Sequence, residues 1–145
     1  MLIFRELLIS EVDKALEIEE ECFICPWKRD DFVNMVEDKD KIYVAAVLGD
    51  EIIGGACLRN IAGDGEITNV AIKSEFRGNG YSERLIENLI AMGRQIGCTA
   101  FTLEVRVSNI PAIKCYEKNG FESAGIRPNF YEHPKEDAMI MWLKQ

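Results

Sequence analysis

Apolar residues recur along this chain with two different spacings, and the switches between them mark out its elements. Residues 2–9 are apolar enough to form a first strand. Ser10, with Asp13 three residues on, makes a capping-box-like start for a helix carrying Val12, Ala15, Leu16 and Ile18. Pro26-Trp27 breaks that pattern, and residues 29–36 read as a short second helix. Residues 42–48 and 51–60 are two arms of a hairpin around Gly49-Asp50, apolar enough to be buried.

Gly63-Asp64-Gly65 turns the chain into a fourth strand at residues 66–72. A glycine-bearing loop then opens a long helix, in which Leu85, Ile86, Leu89, Ile90 and Ile96 keep helical spacing until Gly97 stops it. Residues 100–105 are rich in strand formers. Ser108-Asn109 caps a helix with Ile110, Ile113 and Tyr116, ended by Asn119-Gly120. Residues 121–143 read as two antiparallel strands around a loop at 131–136. The order β-α-α-β-β-β-α-β-α-β-β predicts a mixed α/β domain of the α+β kind, not a doubly wound sheet. With no repeat, low-complexity segment or linker, residues 1–145 read as a single domain.

Composition narrows the classes. The 145 residues are 48% hydrophobic and 29% charged, a soluble globular profile. No apolar run is long enough to span a bilayer, and residues 1–6 (MLIFRE) lack the make-up of a secretion signal, so a cytoplasmic protein without membrane partners is expected. The net charge of −8 speaks against nucleic acid as a partner. It suits a cationic partner, and it suits plain solubility equally well. The five cysteines are odd in number and scattered, unlike a disulfide framework. Cys22-Phe23-Ile24-Cys25 has redox or metal-ligand spacing. It lacks a second such pair, and the one histidine, His133, is remote in sequence, so the thiols read as small hydrophobes and no metal is expected.

The candidate chemistry starts at Arg77-Gly78-Asn79-Gly80-Tyr81-Ser82, between the strand residues Asn69-Val70-Ala71-Ile72 and the long helix. A helix start leaves backbone N–H groups unpaired and carries a partial positive charge, and glycines let an anion approach them closely. A phosphate or pyrophosphate site and a tight structural turn both fit. The loop has no lysine, so it is not a P-loop, and Glu83 stands where the third glycine of a dinucleotide fingerprint belongs.

The loop resembles the Q/R-x-x-G-x-G/A signature of the GNAT acetyltransferases, with Arg77 and Gly80 fitting and Ser82 in the last small position. The resemblance covers nearly the whole chain and narrows to the RimI-like branch, the N-terminal alanine acetyltransferases of a small-subunit ribosomal protein. The residues that carry it are Phe23-Ile24-Cys25-Pro26-Trp27 with Phe32, the run Leu103 to Asn109 (LEVRVSN), the run Ala112 to Phe121 (AIKCYEKNGF), Arg127 with Tyr131, and Glu136-Asp137-Ala138 with Met141. Phe130 replaces the first tyrosine of that branch's C-terminal pair.

The resemblance implies a three-layer fold, with a mostly antiparallel sheet of about seven strands flanked by about four helices. It implies acetyl-CoA as co-substrate and the N-terminal peptide of a ribosomal protein as acceptor. Glu104 would be the general base and Tyr116 the general acid. Val70, Ala71 and Ile72 would take the pantetheine arm by β-augmentation. Arg77, Gly78, Asn79, Gly80, Tyr81, Ser82 and Glu83 would hold the pyrophosphate, with Arg84 offsetting the Glu83 carboxylate, and Asn109 would meet the cofactor near its reacting end. Trp27, Tyr131, Glu136 and Asp137 would recognise the peptide. A monomer or weak dimer is expected. Acetylation of a small-molecule amine, and acyl-CoA binding without catalysis, are the alternatives.

Overall fold

The computed structural model describes residues 1–144. Strand β1 (Leu2–Glu6) is shorter than its apolar run suggests, because a 3-10 turn at Ile9–Glu11 follows it. The Glu11 carboxylate accepts the Leu8 N–H at 2.9 Å and both Arg5 guanidinium nitrogens at 2.8 and 2.7 Å. Helix α1 therefore begins at Val12, with Glu11 and not Ser10 at its N-cap position and no side-chain hydrogen bond capping it from there. The other elements lie where the pattern puts them, within a residue or two: α1 (Val12–Cys22), α2 (Arg29–Glu37), β2 (Lys41–Leu48), β3 (Glu51–Ile61), β4 (Asp64–Ile72), α3 (Tyr81–Gln95), β5 (Ala100–Arg106), α4 (Ile110–Lys118), β6 (Glu122–Tyr131) and β7 (Glu136–Lys144).

The strands form one seven-stranded sheet in the order β1-β2-β3-β4-β5-β7-β6. All neighbours are antiparallel except β4 and β5. β7 folds back along β6 and pairs with β5, from Ala100 opposite Lys144 to Arg106 opposite Ala138.

Both sheet faces are covered, which explains the unbroken apolar runs of β2 and β3. On one face α1 and α2 bury Val12, Ala15, Ile18, Phe32 and Met35 against Tyr43, Ala45 and Val47. On the other, α3 and α4 bury Leu85, Ile86, Leu89 and Ile113 against Val44, Leu58 and Phe101. Each buried Val, Leu, Ile, Phe or Met among them contributes roughly 1.5–3 kcal/mol. The three layers, seven strands and four α-helices are those expected. Among the described residues no helix is long and apolar enough to cross a membrane.

Candidate active site

β4 and β5 start side by side and then part. Their ladder holds only Asp64 to Ala100, Gly65 to Phe101 and Glu66 to Thr102. Beyond it β4 carries one extra residue against β3: Gly55 faces Ala71, whereas Cys57 faces Thr68. The bulge centres on Asn69, whose φ of 55° lies in the left-handed region that asparagine tolerates better than most residues. The Asn69 amide donates to Glu19 Oε1 at 2.7 Å, and the same oxygen accepts the Trp27 N–H at 3.2 Å. Glu19 is 2% exposed. Burial raises its carboxyl pKa, and the hydrogen bonds from Trp27 and Asn69 oppose that rise.

The gap left by the parting strands is filled by two cavities, of about 730 and 650 Å³. Cys22, Phe23, Val70, Asn109 and Tyr116 line both, so the two meet across the sheet.

The larger cavity holds the loop before α3. Gly78 and Gly80 have φ of 82° and 75°, and a Cβ on either would meet open space, so what they supply is backbone conformation. No side chain caps α3. Among the described residues, the first backbone N–H after Arg77 to find an acceptor is that of Arg84, on Gly80 O at 3.4 Å. The N–H groups from Gly78 to Glu83 thus remain for an anion, and Lys114 and Lys118 of α4 line the same cavity. These residues fit a pyrophosphate.

Arg77 itself is turned back. Its Nε donates to Ile72 O at 2.8 Å and its Nη2 to Cys22 Sγ at 3.3 Å, bracing the loop to β4. Asn79 braces it to Phe76 O at 2.9 Å. Glu83 pairs with Lys118 at 3.6 Å, whereas Arg84, expected to offset it, lies over the Phe4 ring.

The smaller cavity lies on the other side of β5, where burial alternates residue by residue: Phe101, Leu103 and Val105 point into the core, and Thr102, Glu104 and Arg106 line the cavity. Glu104 Oε2 is shut off from solvent and has no hydrogen-bond partner among the described residues. Arg127 Nη1 stands 3.2 Å from it as an ion pair without hydrogen-bond alignment. Tyr131 closes the cavity from β6, and its phenol pKa is raised by burial and by nearby Glu104. Tyr116, 8% exposed, packs edge-on against Phe121 at 6.1 Å. Burial pushes its phenol well above the ordinary tyrosine value. A low tyrosine pKa, the condition for complete proton transfer, is therefore not met in the free chain, and a neutral hydrogen-bond donor is.

Of the other expected site residues, Val70, Ala71, Ile72, Tyr81 and Ser82 line the larger cavity. Asn109 lines both and also caps α4, its Oδ1 accepting the Ala112 N–H at 3.3 Å. Trp27 stands away from both cavities, edge-on to Phe32 with centroids 5.1 Å apart. Glu136 and Asp137 are engaged within the chain. Glu136 accepts Ser108 N at 2.8 Å and Arg106 Nη1 at 3.2 Å, and Asp137 accepts Asn129 N at 2.8 Å. Sequence reasoning passed over Glu19, Arg106 and Lys114. A signal existed for Glu19, an acid at helical spacing from Val12 and Ala15 on an apolar face.

Residues 12–121 match the family model described as acetyltransferase (GNAT) family. A Bacillus subtilis (strain 168) protein, provisionally named a ribosomal protein bS18-alanine N-acetyltransferase, is 34% identical, with 96% of this chain and 93% of that protein aligned. The ribosomal protein bS18-alanine N-acetyltransferase of Haemophilus influenzae is 30% identical over 97% of both chains. The crystal structure of the ribosomal-protein-S18-alanine N-acetyltransferase from Escherichia coli superposes with a TM-score of 0.89 at 28% identity, covering 99% of this chain and 93% of that one. With a family model matched over most of its length and relatives aligned from end to end, this chain belongs to the RimI-like branch of the GNAT family, an acetyl-CoA-dependent N-acetyltransferase.

Proposed function

We propose that the chain acetylates the N-terminal α-amine of a small-subunit ribosomal protein whose first residue is alanine, in the cytoplasm. The observation that carries this reading is the placing of Glu104 on the acceptor side of a wall through which Tyr116 reaches both cavities. The names of the relatives, aligned over nearly the full length of both chains, support the choice of acceptor.

The α-amine must be neutral to attack. Its pKa of about 7.7–8.0 leaves a usable fraction neutral near pH 7, whereas a lysine at about 10.4 needs far more help. Glu104 takes the proton that the nitrogen sheds as the N–C bond forms, directly or through one water. Its Oε2, ion-paired with Arg127, accepts no hydrogen bond within the described residues. The Tyr116 hydroxyl donates a hydrogen bond to the thiolate as the C–S bond breaks, which leaves the acetylated peptide and CoA as its thiolate, protonated afterwards from solvent. The loop N–H groups and Lys114 hold the cofactor's phosphates in place, and the free backbone of β4 takes its pantetheine arm.

Steady-state release of free CoA from a panel of acceptors tests the proposal. A peptide beginning with alanine should exceed polyamines, amino acids and antibiotic amines in kcat/KM by about a hundredfold or more. Turnover of small amines only would sink the ribosomal reading while leaving the acetyltransferase intact.

A further inference from the structure

We propose that Arg106 is a positioning residue that locks the loop between β6 and β7 over the acceptor cavity, and so sets affinity for the acceptor and not for acetyl-CoA. The proposal rests on reading the smaller cavity as the acceptor site. Nη1 donates to Pro134 O at 2.8 Å and to Glu136 Oε1 at 3.2 Å, and Nη2 donates to Glu132 O at 3.0 Å. The guanidinium carbon also lies 4.4 Å from the centroid of the Tyr131 ring. One side chain at the end of β5 thus holds the loop at Glu132 and Pro134 and the two strand ends that flank it at Tyr131 and Glu136.

Two of the cavity's wall residues, Glu132 and His133, belong to this loop, and a third, Tyr131, ends β6 beside it. Residues 128–130 fall at a break in the β6–β7 register, so a single pair, Tyr131 opposite Glu136, joins the loop to the rest of the ladder. Glu136 completes the lock from the far side. It accepts Ser108 N at 2.8 Å, and hydrogen bonds from Ser108 and Arg106 hold its carboxyl below the usual carboxylate range.

The pairing has a second consequence. With Glu136 and two carbonyls around it, the Arg106 charge is spent inside the loop and does not repel an incoming cationic amine. Only a guanidinium can do all of this. Its planar fork serves acceptors on two sides while its face lies on a ring, and a lysine ammonium offers a point charge without a plane.

Arg106→Lys separates this role from general stability. The acceptor KM should rise about tenfold, with kcat within about threefold and the acetyl-CoA Kd within about twofold of the parent. Glu136→Gln, which loosens the same lock from the loop, should move the acceptor KM the same way by a smaller factor. An unchanged acceptor KM in both variants, or an equal loss of acetyl-CoA affinity, overturns the proposal. A parent protein inactive on the alanine peptide would instead point to failure of the acceptor assignment. Hydrogen exchange then reads the lock directly: amides of residues 131–136 should exchange faster in Arg106→Lys than in the parent, and identical exchange overturns it.

Discussion

Glu104 and Tyr116 have neighbours of opposite character, and this sorts their roles. Glu104 keeps one oxygen buried without a hydrogen bond beside Arg127, an acceptor awaiting a donor. Tyr116 is kept neutral by burial, which suits it to donate a hydrogen bond. Glu104→Gln should lower kcat by about a hundredfold or more with the acetyl-CoA Kd unchanged, checked by stopped-time assay and calorimetry. Tyr116→Phe keeps the packing on Phe121, and its loss of about tenfold to a hundredfold should fall on kcat.

Glu19 makes a prediction about stability. Its folded-state pKa is raised above the unfolded value, so the folded chain binds the extra proton. Stability from this group is therefore fully present below the unfolded pKa and lost as pH rises through the folded one. Glu19→Gln keeps an oxygen for Asn69 and Trp27, so the variant should be more stable than the parent at neutral pH. That gap should close as pH falls toward the carboxylate range, as read by denaturant unfolding. Glu104 and Tyr116 were legible because they stand inside recognisable runs. Glu19 sits in the acid-rich stretch EIEEE, where charge hides the helical spacing that places it on the buried face.

Among the elements, the loop before α3 was the most readable, since Gly78 and Gly80 signal a left-handed backbone before an uncapped helix. Gly80→Ala puts a side chain at φ 75°, which costs about 1–2 kcal/mol in that region. Because the added Cβ meets nothing, the predicted loss is of loop geometry, and acetyl-CoA affinity should fall about tenfold with only a modest drop in melting temperature. The bulge of β4 and the insertion of β7 between β5 and β6 were not legible. Strand pairing over long separations leaves no local periodicity, and the bulge is fixed by Glu19, fifty residues before Asn69. The segment Glu136-Asp137 shows the converse. Its charges read as a surface for a basic peptide, but their partners, Arg106, Ser108 and Asn129, come together only in the fold.

At the scale of the whole molecule, the mixed α/β class followed from the order of strand and helix patterns and the three layers from the family resemblance, and the divided sheet turns that order into a site. In the proposed arrangement the cofactor enters from the α3 and α4 face and the acceptor from the face of α1 and the β6–β7 loop, and the two cavities share Val70, Asn109 and Tyr116. The net charge of −8 adds a long-range effect. Raising ionic strength should lower kcat/KM for a cationic peptide several-fold and leave that for an uncharged acceptor nearly constant, since steering is screened beyond about 10 Å at 0.1 M salt. The most direct test of the central claim is to locate the transferred group. An alanine-first ribosomal peptide containing lysines is treated with isotopically labelled acetyl-CoA, and the label is mapped by tandem mass spectrometry with the parent and with Glu104→Gln. One label on the α-amine, slowed about a hundredfold or more in the variant, is the predicted result. Label on lysine side chains alone, or equal rates in the two proteins, would contradict it.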